Sequence, residues 1–219
     1  MKPVKVLCGA PCGKIPVYDH FYDSFGALIL PPDSIKVRAS GGSIPLNLNT
    51  LVETAKQQEC SHLFIVEDDS SFHPDTVMQL LAHDKPVVTG ICRARHAPFK
   101  PYIYKDLDPG LGLTWYELTE KDRGLIKVGA TGLGGILIKM NVFDKLAKPY
   151  FKHFHVGERE FGQDVVFGMS LIEAGVKVYC DLDVVIWHAT QCVVGSEFVE
   201  NEWRTVIKVN EAVFKVKTI

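Results

Sequence analysis

Leu63-Phe64-Ile65-Val66 is an unbroken apolar run that ends abruptly in Glu67-Asp68-Asp69. A short segment with no polar side predicts a central strand buried on both faces. Ser70 to His73 then lead to Pro74 and an amphipathic stretch carrying Val77, Met78, Leu80 and Leu81. Proline is tolerated in the first turn of a helix, where its missing N–H costs nothing. The carboxylates are therefore expected between the carboxyl end of a buried strand and a helix, which is where open α/β sheets bind ligands. Adjacent acids repel unless a cation compensates them, and a hard divalent ion such as Mg²⁺ or Mn²⁺ prefers oxygen ligands. A second account is purely local: Asp68, Asp69, Ser70 and Ser71 cap the next helix and favour its positive end.

The flanking sequence repeats the strand–helix alternation. Strands are expected over Val4–Ala10, Ile35–Ala39 and Pro86–Ile91. Helices are expected from Pro16 to Phe25 and from Leu46 to Glu59, the latter with Leu48, Leu51, Val52 and Ala55 on one face. This order predicts a mostly parallel sheet flanked by helices. Gly41-Gly42 marks a turn. Neither G-x-x-x-x-G-K-[ST] nor G-x-G-x-x-G follows the first strand, which disfavours a phosphate loop and a dinucleotide-binding Rossmann domain.

Arg93, Arg95, His96 and Lys100 form a basic loop, suited to a diphosphate, to an acidic acceptor or to solvent. Leu113–Thr119 and Leu125–Ala130 alternate like strands. Gly132-Leu133-Gly134-Gly135 precedes a strand at Ile136–Met140, either to admit a ligand to the backbone or to form a bulge. His155–Gly162 is polar and predicts a mobile loop. Asp164 opens a helix that stops at Gly175, either as a first-turn acid or as a base. Val176–Cys180 and Val184–Trp187 are expected as two strands, with His188 as a structural residue or a ligand. Ser196–Lys217 has helical spacing (Phe198, Val199, Trp203, Val206, Ile207, Val213, Phe214) and predicts a packing helix, within the chain or across a dimer.

A chain of 219 residues can bury a sizeable core in one domain. The expected plan is a nucleotide-binding half (1–95), an acceptor-side half (96–188) and the C-terminal helix (189–219). No apolar run approaches the ~20 residues of a membrane helix, and Met1-Lys2-Pro3-Val4-Lys5 has no secretory pattern. The net charge of −2 gives no global attraction to nucleic acid. Six cysteines without a C-x-x-C pair predict reduced thiols and a cytoplasmic setting.

Taken together, the ordered segments resemble the GT-A glycosyltransferases, in particular family 2-like enzymes and their compact phage and viral relatives. FIVEDDSSFHPDTVMQLL resembles their D-x-D strand and following helix, with Glu67 in the first acidic position and Asp69 in the third. KPVVTGICRAR resembles the next strand. GATGLGGILIKMNVFDKL resembles the glycine-containing segment beside donor and acceptor. FGQDVVFGMSLIEAGVKVYCDLDVVIWH resembles the segment with an Asp base and a terminal metal-binding His. The chain departs from the pattern in having Glu67 for the first Asp, Gln163-Asp164 for an acidic pair, and Leu48-Asn49 for an Arg-Asn.

The resemblance implies a GT-A fold with a small second sheet and transfer of a sugar from a nucleotide-diphosphate donor to a hydroxyl acceptor. Glycan, protein or a modified DNA base would qualify as acceptor, with Lys100, Lys105, Arg93 and Arg95 as candidates for a DNA groove. It implies Mn²⁺ or Mg²⁺ held by Glu67, Asp69 and His188. Ala10, Pro11, Asn49, Glu67, Asp68 and Gly134 would bind the nucleotide-sugar, and Asp164 would be the general base of an inverting reaction. The His155–Gly162 loop would close over the donor. A monomer or homodimer off the membrane is expected. The other classes open to these acids are a metal-dependent phosphohydrolase or nuclease, and a sugar-nucleotide-binding module without catalysis.

Overall fold

The computed structural model describes residues 3–13, 19–108, 112–199, 202–209 and 212–217. The first half alternates as its sequence predicts: β1 (Val6–Pro11), α1 (Asp19–Ala27), β2 (Ile35–Ala39), α2 (Ile44–Gln57) and β3 (His62–Ile65). Residues 14–18, which include the start of the helix expected from Pro16, lie outside the described residues. In α2, Pro45 sits in the first turn, and Leu48, Leu51, Val52 and Ala55 are buried along one face. A three-residue strand not foreseen in the sequence, β4 (Ser70–Phe72), separates the acids from α3 (Thr76–Ala82), and β5 (Val87–Ile91) follows.

The second half begins with β6 (Ile103–Asp108), β7 (Gly112–Trp115), β8 (Leu125–Val128), β9 (Ala130–Thr131) and β10 (Ile136–Lys139). A 3₁₀ turn at Met140–Lys145 precedes a hairpin of β11 (Phe154–Val156) and β12 (Arg159–Phe161). That hairpin occupies the segment expected as a mobile loop, His155–Gly162. Next come α4 (Gln163–Glu173) and β13 (Val178–His188). Gly175, at φ +66°, ends the helix in the left-handed region that glycine enters without penalty.

The central sheet has the order β2-β1-β3-β10-β5-β13-β4, with β8 also paired to β13. β2, β1, β3, β5 and β13 share one direction, whereas β10, β4 and β8 run against it. The sheet is therefore mixed around a parallel majority. α2 and α4 contribute to the larger core, where Phe143, Phe151 and Phe167 stack. The opposite core packs Phe21, Phe25 and Phe64 with Val77 and Leu80. Among the described residues there are three further small sheets, β11-β12, β7-β6-β9 and one at the C-terminus, where the sequence predicted a single small sheet.

β13 corrects a second expectation. It is one eleven-residue strand, joined by β5 and β8 at Val178–Asp181 and by β4 at Ile186–His188. A shift of register between Asp181 and Val185 bends it without ending it. Its close approach to β5 and β10 depends on two residues without side chains. A Cβ on Gly90 would stand 2.5 Å from the Val184 carbonyl oxygen, and one on Gly135, at φ +79°, would stand 2.6 Å from Ile186 Cγ1. A backbone oxygen cannot rotate away, so Gly90→Ala is expected to cost about 1–3 kcal/mol, as overpacking does. An unchanged urea midpoint for that variant would contradict this packing.

The C-terminal segment is not a helix. β14 (Val193–Val199), β15 (Glu202–Val209) and β16 (Ala212–Lys217) form an antiparallel meander. The segment is dense in β-branched and aromatic residues, which fit a pleated surface better than a helix. Only two residues separate each paired end, Val199 from Glu202 and Val209 from Ala212, a spacing suited to hairpins.

Candidate functional site

The carboxyl ends of β1, β3, β5 and β13 and the amino end of β10 meet along one edge of the sheet. A cavity of about 450 Å³ opens there, lined by Pro11, Gly13, Glu67, Asp68, Asp69, Arg95, Tyr102, Gly134, Asp164 and His188, among others. The segment after each strand thus delivers a different chemical group to a shared space. Of the residues singled out from sequence, Pro11, Glu67, Asp68, Asp69, Gly134, Asp164 and His188 line this cavity.

Two others do not. Ala10 is wholly buried within β1. Asn49 faces another segment, donating to the carbonyls of Pro45 and Phe151 (2.7 Å each) and accepting from the Tyr150 and Phe151 amides. It ties α2 to residues 150–151, a structural duty outside the cavity. Asn47, two residues earlier, is the asparagine that serves the site. It is buried, donates to the Cys12 and Gly42 carbonyls at 3.1 and 3.3 Å, and accepts from the Gly42 amide at 3.2 Å. Those bonds fix the turn after β1, where the Gly13 amide donates to Asp68 Oδ2 at 3.1 Å.

Glu67, Asp69 and His188 each present a ligand atom within 4.8 Å of the others, one such group among the described residues. His188 Nε2 lies 3.3 Å from Asp69 Oδ2, and its Nδ1 donates to the Arg93 carbonyl at 3.0 Å. Arg95 Nη1 stands 2.8 Å from the same carboxylate oxygen. The other oxygen, Asp69 Oδ1, is buried and accepts no hydrogen bond.

This donor set fits a divalent cation. Carboxylate oxygens suit hard divalent ions, and imidazole is a common ligand of transition metals. The Nδ1–H anchored on a backbone carbonyl leaves Nε2 as the nitrogen turned to the carboxylates, an outer-shell arrangement common to metal-binding histidines. An orphaned buried oxygen is costly unless something electropositive meets it.

The electrostatics describe the same pocket. Burial, with the negative charge of Asp69, pushes Glu67 from its ordinary 4.5 up to about 7. For Asp69, burial also raises the pKa, but the hydrogen bond and charge of His188 and the charge of Arg95 outweigh it, and the net direction is down. Burial disfavours charge on His188, yet its hydrogen bonds and the Asp69 charge carry it up to about 10.

Glu67 thereby gives a pH dependence. Its folded pKa lies above its unfolded value, so the folded state binds the extra proton and stability falls as pH rises from about 4.5 through about 7. Glu67→Gln is expected to melt higher than wild type at pH 8 in EDTA, with the difference vanishing below pH 4.5. A lower melting temperature at pH 8 would overturn this account.

Asp164 opens α4, held over β9 by Gly168, where a Cβ would come within 2.8 Å of Ala130 Cβ. Burial raises its pKa, against hydrogen bonds from the backbone amides of Val165 and Asp164 and the charge of His153. The β11-β12 hairpin braces that helix start: His153 reaches Glu160 Oε1 through Nδ1 at 2.7 Å and Gln163 Oε1 through Nε2 at 2.9 Å. Cys92, Tyr102 and Thr131 also line the cavity, although no motif in the sequence marks them. Their signal is only that they flank the strand ends bearing the basic and glycine-rich loops.

No family model and no curated protein matches the sequence. In three dimensions the chain is similar to A197 from STIV, over 99% of this chain and 96% of that one, with a TM-score of 0.55 at 13% identity. That likeness shows a shared fold across nearly the whole length. The inositol-1-phosphate CTP transferase from T. maritima overlaps 72% of this chain and 60% of its own, with a TM-score of 0.40 at 13% identity. No helix among the described residues is long and apolar enough to cross a membrane. Five of the six free cysteines are buried, and Cys192 is exposed.

Proposed function

We propose that this protein is a GT-A glycosyltransferase that moves a sugar from a nucleotide-diphosphate donor to a hydroxyl acceptor with the help of a divalent cation. The observation that carries the proposal is the convergence of Glu67, Asp69 and His188 within 4.8 Å of one another in the cavity that also holds Asp164. Glu67, Asp69 and His188 would hold the ion, and when bound it would supply Lewis-acid stabilisation of a diphosphate leaving group. Mn²⁺ and Mg²⁺ both suit the ligands.

The chain's own groups do the rest. Pro11, Gly13 and Asp68 line one end of the cavity, where a nucleoside would lie, with Asp68 held by the Gly13 amide. Arg95, beside Asp69, presents a planar fork of donors that suits phosphate oxygens as they gain charge. Gly134 leaves room for the donor sugar, since even a Cβ there would meet Glu67 Oε2 at 3.3 Å. Asp164, ionised, would take the proton of the attacking hydroxyl. Burial makes it a stronger base than an exposed aspartate. Attack from the side opposite the leaving diphosphate inverts the anomeric centre.

A thermal-shift panel of nucleoside diphosphates and their sugars, each with Mn²⁺ and with EDTA, tests the reading. A ligand at 100 times its dissociation constant adds about 2.7 kcal/mol to the folded state. A metal-dependent shift with one nucleotide is expected. No shift with any of them, in folded protein supplied with metal, would remove the reading.

A further inference from the structure

A second cavity, of about 710 Å³, lies on the far side of His188 and Arg95, which line both spaces. We propose that it is a carbohydrate-binding groove beside the cavity that holds Asp164, a site that stands apart from the transferase reading.

The outer side of β13 forms one wall. Val184 and Ile186 face the core, so Val185 and Trp187 must face outward, and they are 42% and 67% exposed. An exposed indole beside a cavity calls for a reason, since large aromatics contribute most when covered. Phe99 extends the apolar wall and meets Phe214 of β16 at a ring separation of 5.8 Å. The C-terminal meander therefore reaches the rim of the groove.

Polar groups surround this platform. Asp183 is exposed and lines the cavity with Arg93 and Arg123. Arg93 spends one of its N–H donors on the Phe99 carbonyl at 3.0 Å, and Arg123 Nη1 donates to the Asp122 carbonyl at 2.7 Å. Asp122 Oδ2 accepts from the Thr119 amide and hydroxyl at 2.7 Å each, which fixes the turn that brings both residues to the lining.

A sugar ring matches this mixture. Its C–H face is weakly positive and packs on the negative face of an indole. Its hydroxyls both donate to carboxylates and accept from guanidinium groups. A polyanion such as single-stranded DNA gains from Arg93 and Arg123, but Asp122 and Asp183 offset them beside the aromatic, where nucleic-acid grooves carry positive charge; Arg95 and His188, which also line the space, are turned to Asp69. The balance favours a neutral glycan.

The test is titration of the full chain with maltohexaose, mannohexaose, cellohexaose and chitohexaose, and separately with a dT12 oligonucleotide, followed by calorimetry and tryptophan fluorescence. At least one hexasaccharide is expected to bind, at least tenfold more weakly to Trp187→Ala and less affected in Trp187→Phe. Trp187 is exposed, so the variant should fold, and its metal-dependent nucleotide shift should match wild type. Failure of all four sugars, binding indifferent to Trp187→Ala, or binding of dT12 alone would overturn the groove. Hexasaccharide binding without any nucleotide binding would keep the groove and remove the transferase reading, so the two failures are distinguishable.

Discussion

Asp164→Asn is expected to lower transfer by about 10²–10⁴-fold, the usual contribution of a positioned general base, while leaving the fold and metal-dependent nucleotide binding intact. Asparagine keeps the size of the side chain at the start of α4 and removes only its ability to take a proton. In the wild type, the raised pKa of Asp164 means the rate should climb with pH as the carboxyl ionises. That limb should disappear in the variant. Product stereochemistry adds a second check: one displacement with Asp164 as base gives the inverted anomer. Near-normal transfer by the variant, or a retained anomer, would sink the assignment.

The second large effect concerns Asp69 and His188. Asp69→Ala removes the buried, unpartnered Oδ1 together with the oxygen shared by His188 and Arg95. His188→Ala removes the imidazole anchored on the Arg93 carbonyl. If either change weakens metal-assisted nucleotide binding about 100-fold, a concentration that stabilises wild type by about 2.7 kcal/mol would stabilise the variant by only about 0.4 kcal/mol. Calorimetry with Mn²⁺ should show the same loss. Unchanged binding in both variants would exclude this metal site.

Much of the scaffold was legible because it is written in local patterns. Ile35–Ala39 is β2 with the expected bounds, and the apolar run at 63–66 marks β3 to within one residue at each end. α4 follows from the polar–apolar switch at Gln163 and the stop at Gly175. Features that depend on distant partners were not legible. β4 exists as a strand because Ser70–Phe72 pairs with the end of β13, more than a hundred residues away. β13 is continuous because β5 and β8 hold its start and β4 its end. The C-terminal meander was missed for another reason: its apolar residues satisfy helical spacing by coincidence, and β-branched content was the better guide.

Within the site, the acids stood out because charge after a buried strand is unusual. Asn47 did not, because a helical asparagine announces nothing about the turn it will reach. Asn49 stands where the resembled family carries an Arg-Asn pair, yet its hydrogen bonds go to Pro45 and to residues 150–151. Arg95 was visible as one member of a basic loop, but its pairing with Asp69 required the fold.

Asp69 and His188 are 119 positions apart in the chain, and they meet only once β3, β5 and β13 are in register. An unfolded chain must therefore close a long loop before it can offer the full donor set. A metal held there would have little grip on the denatured ensemble and could not template the fold in the way that zinc organises a small finger. It should act late, slowing unfolding more than it speeds folding. Refolding in EDTA should then yield native protein at nearly the same rate as refolding with metal.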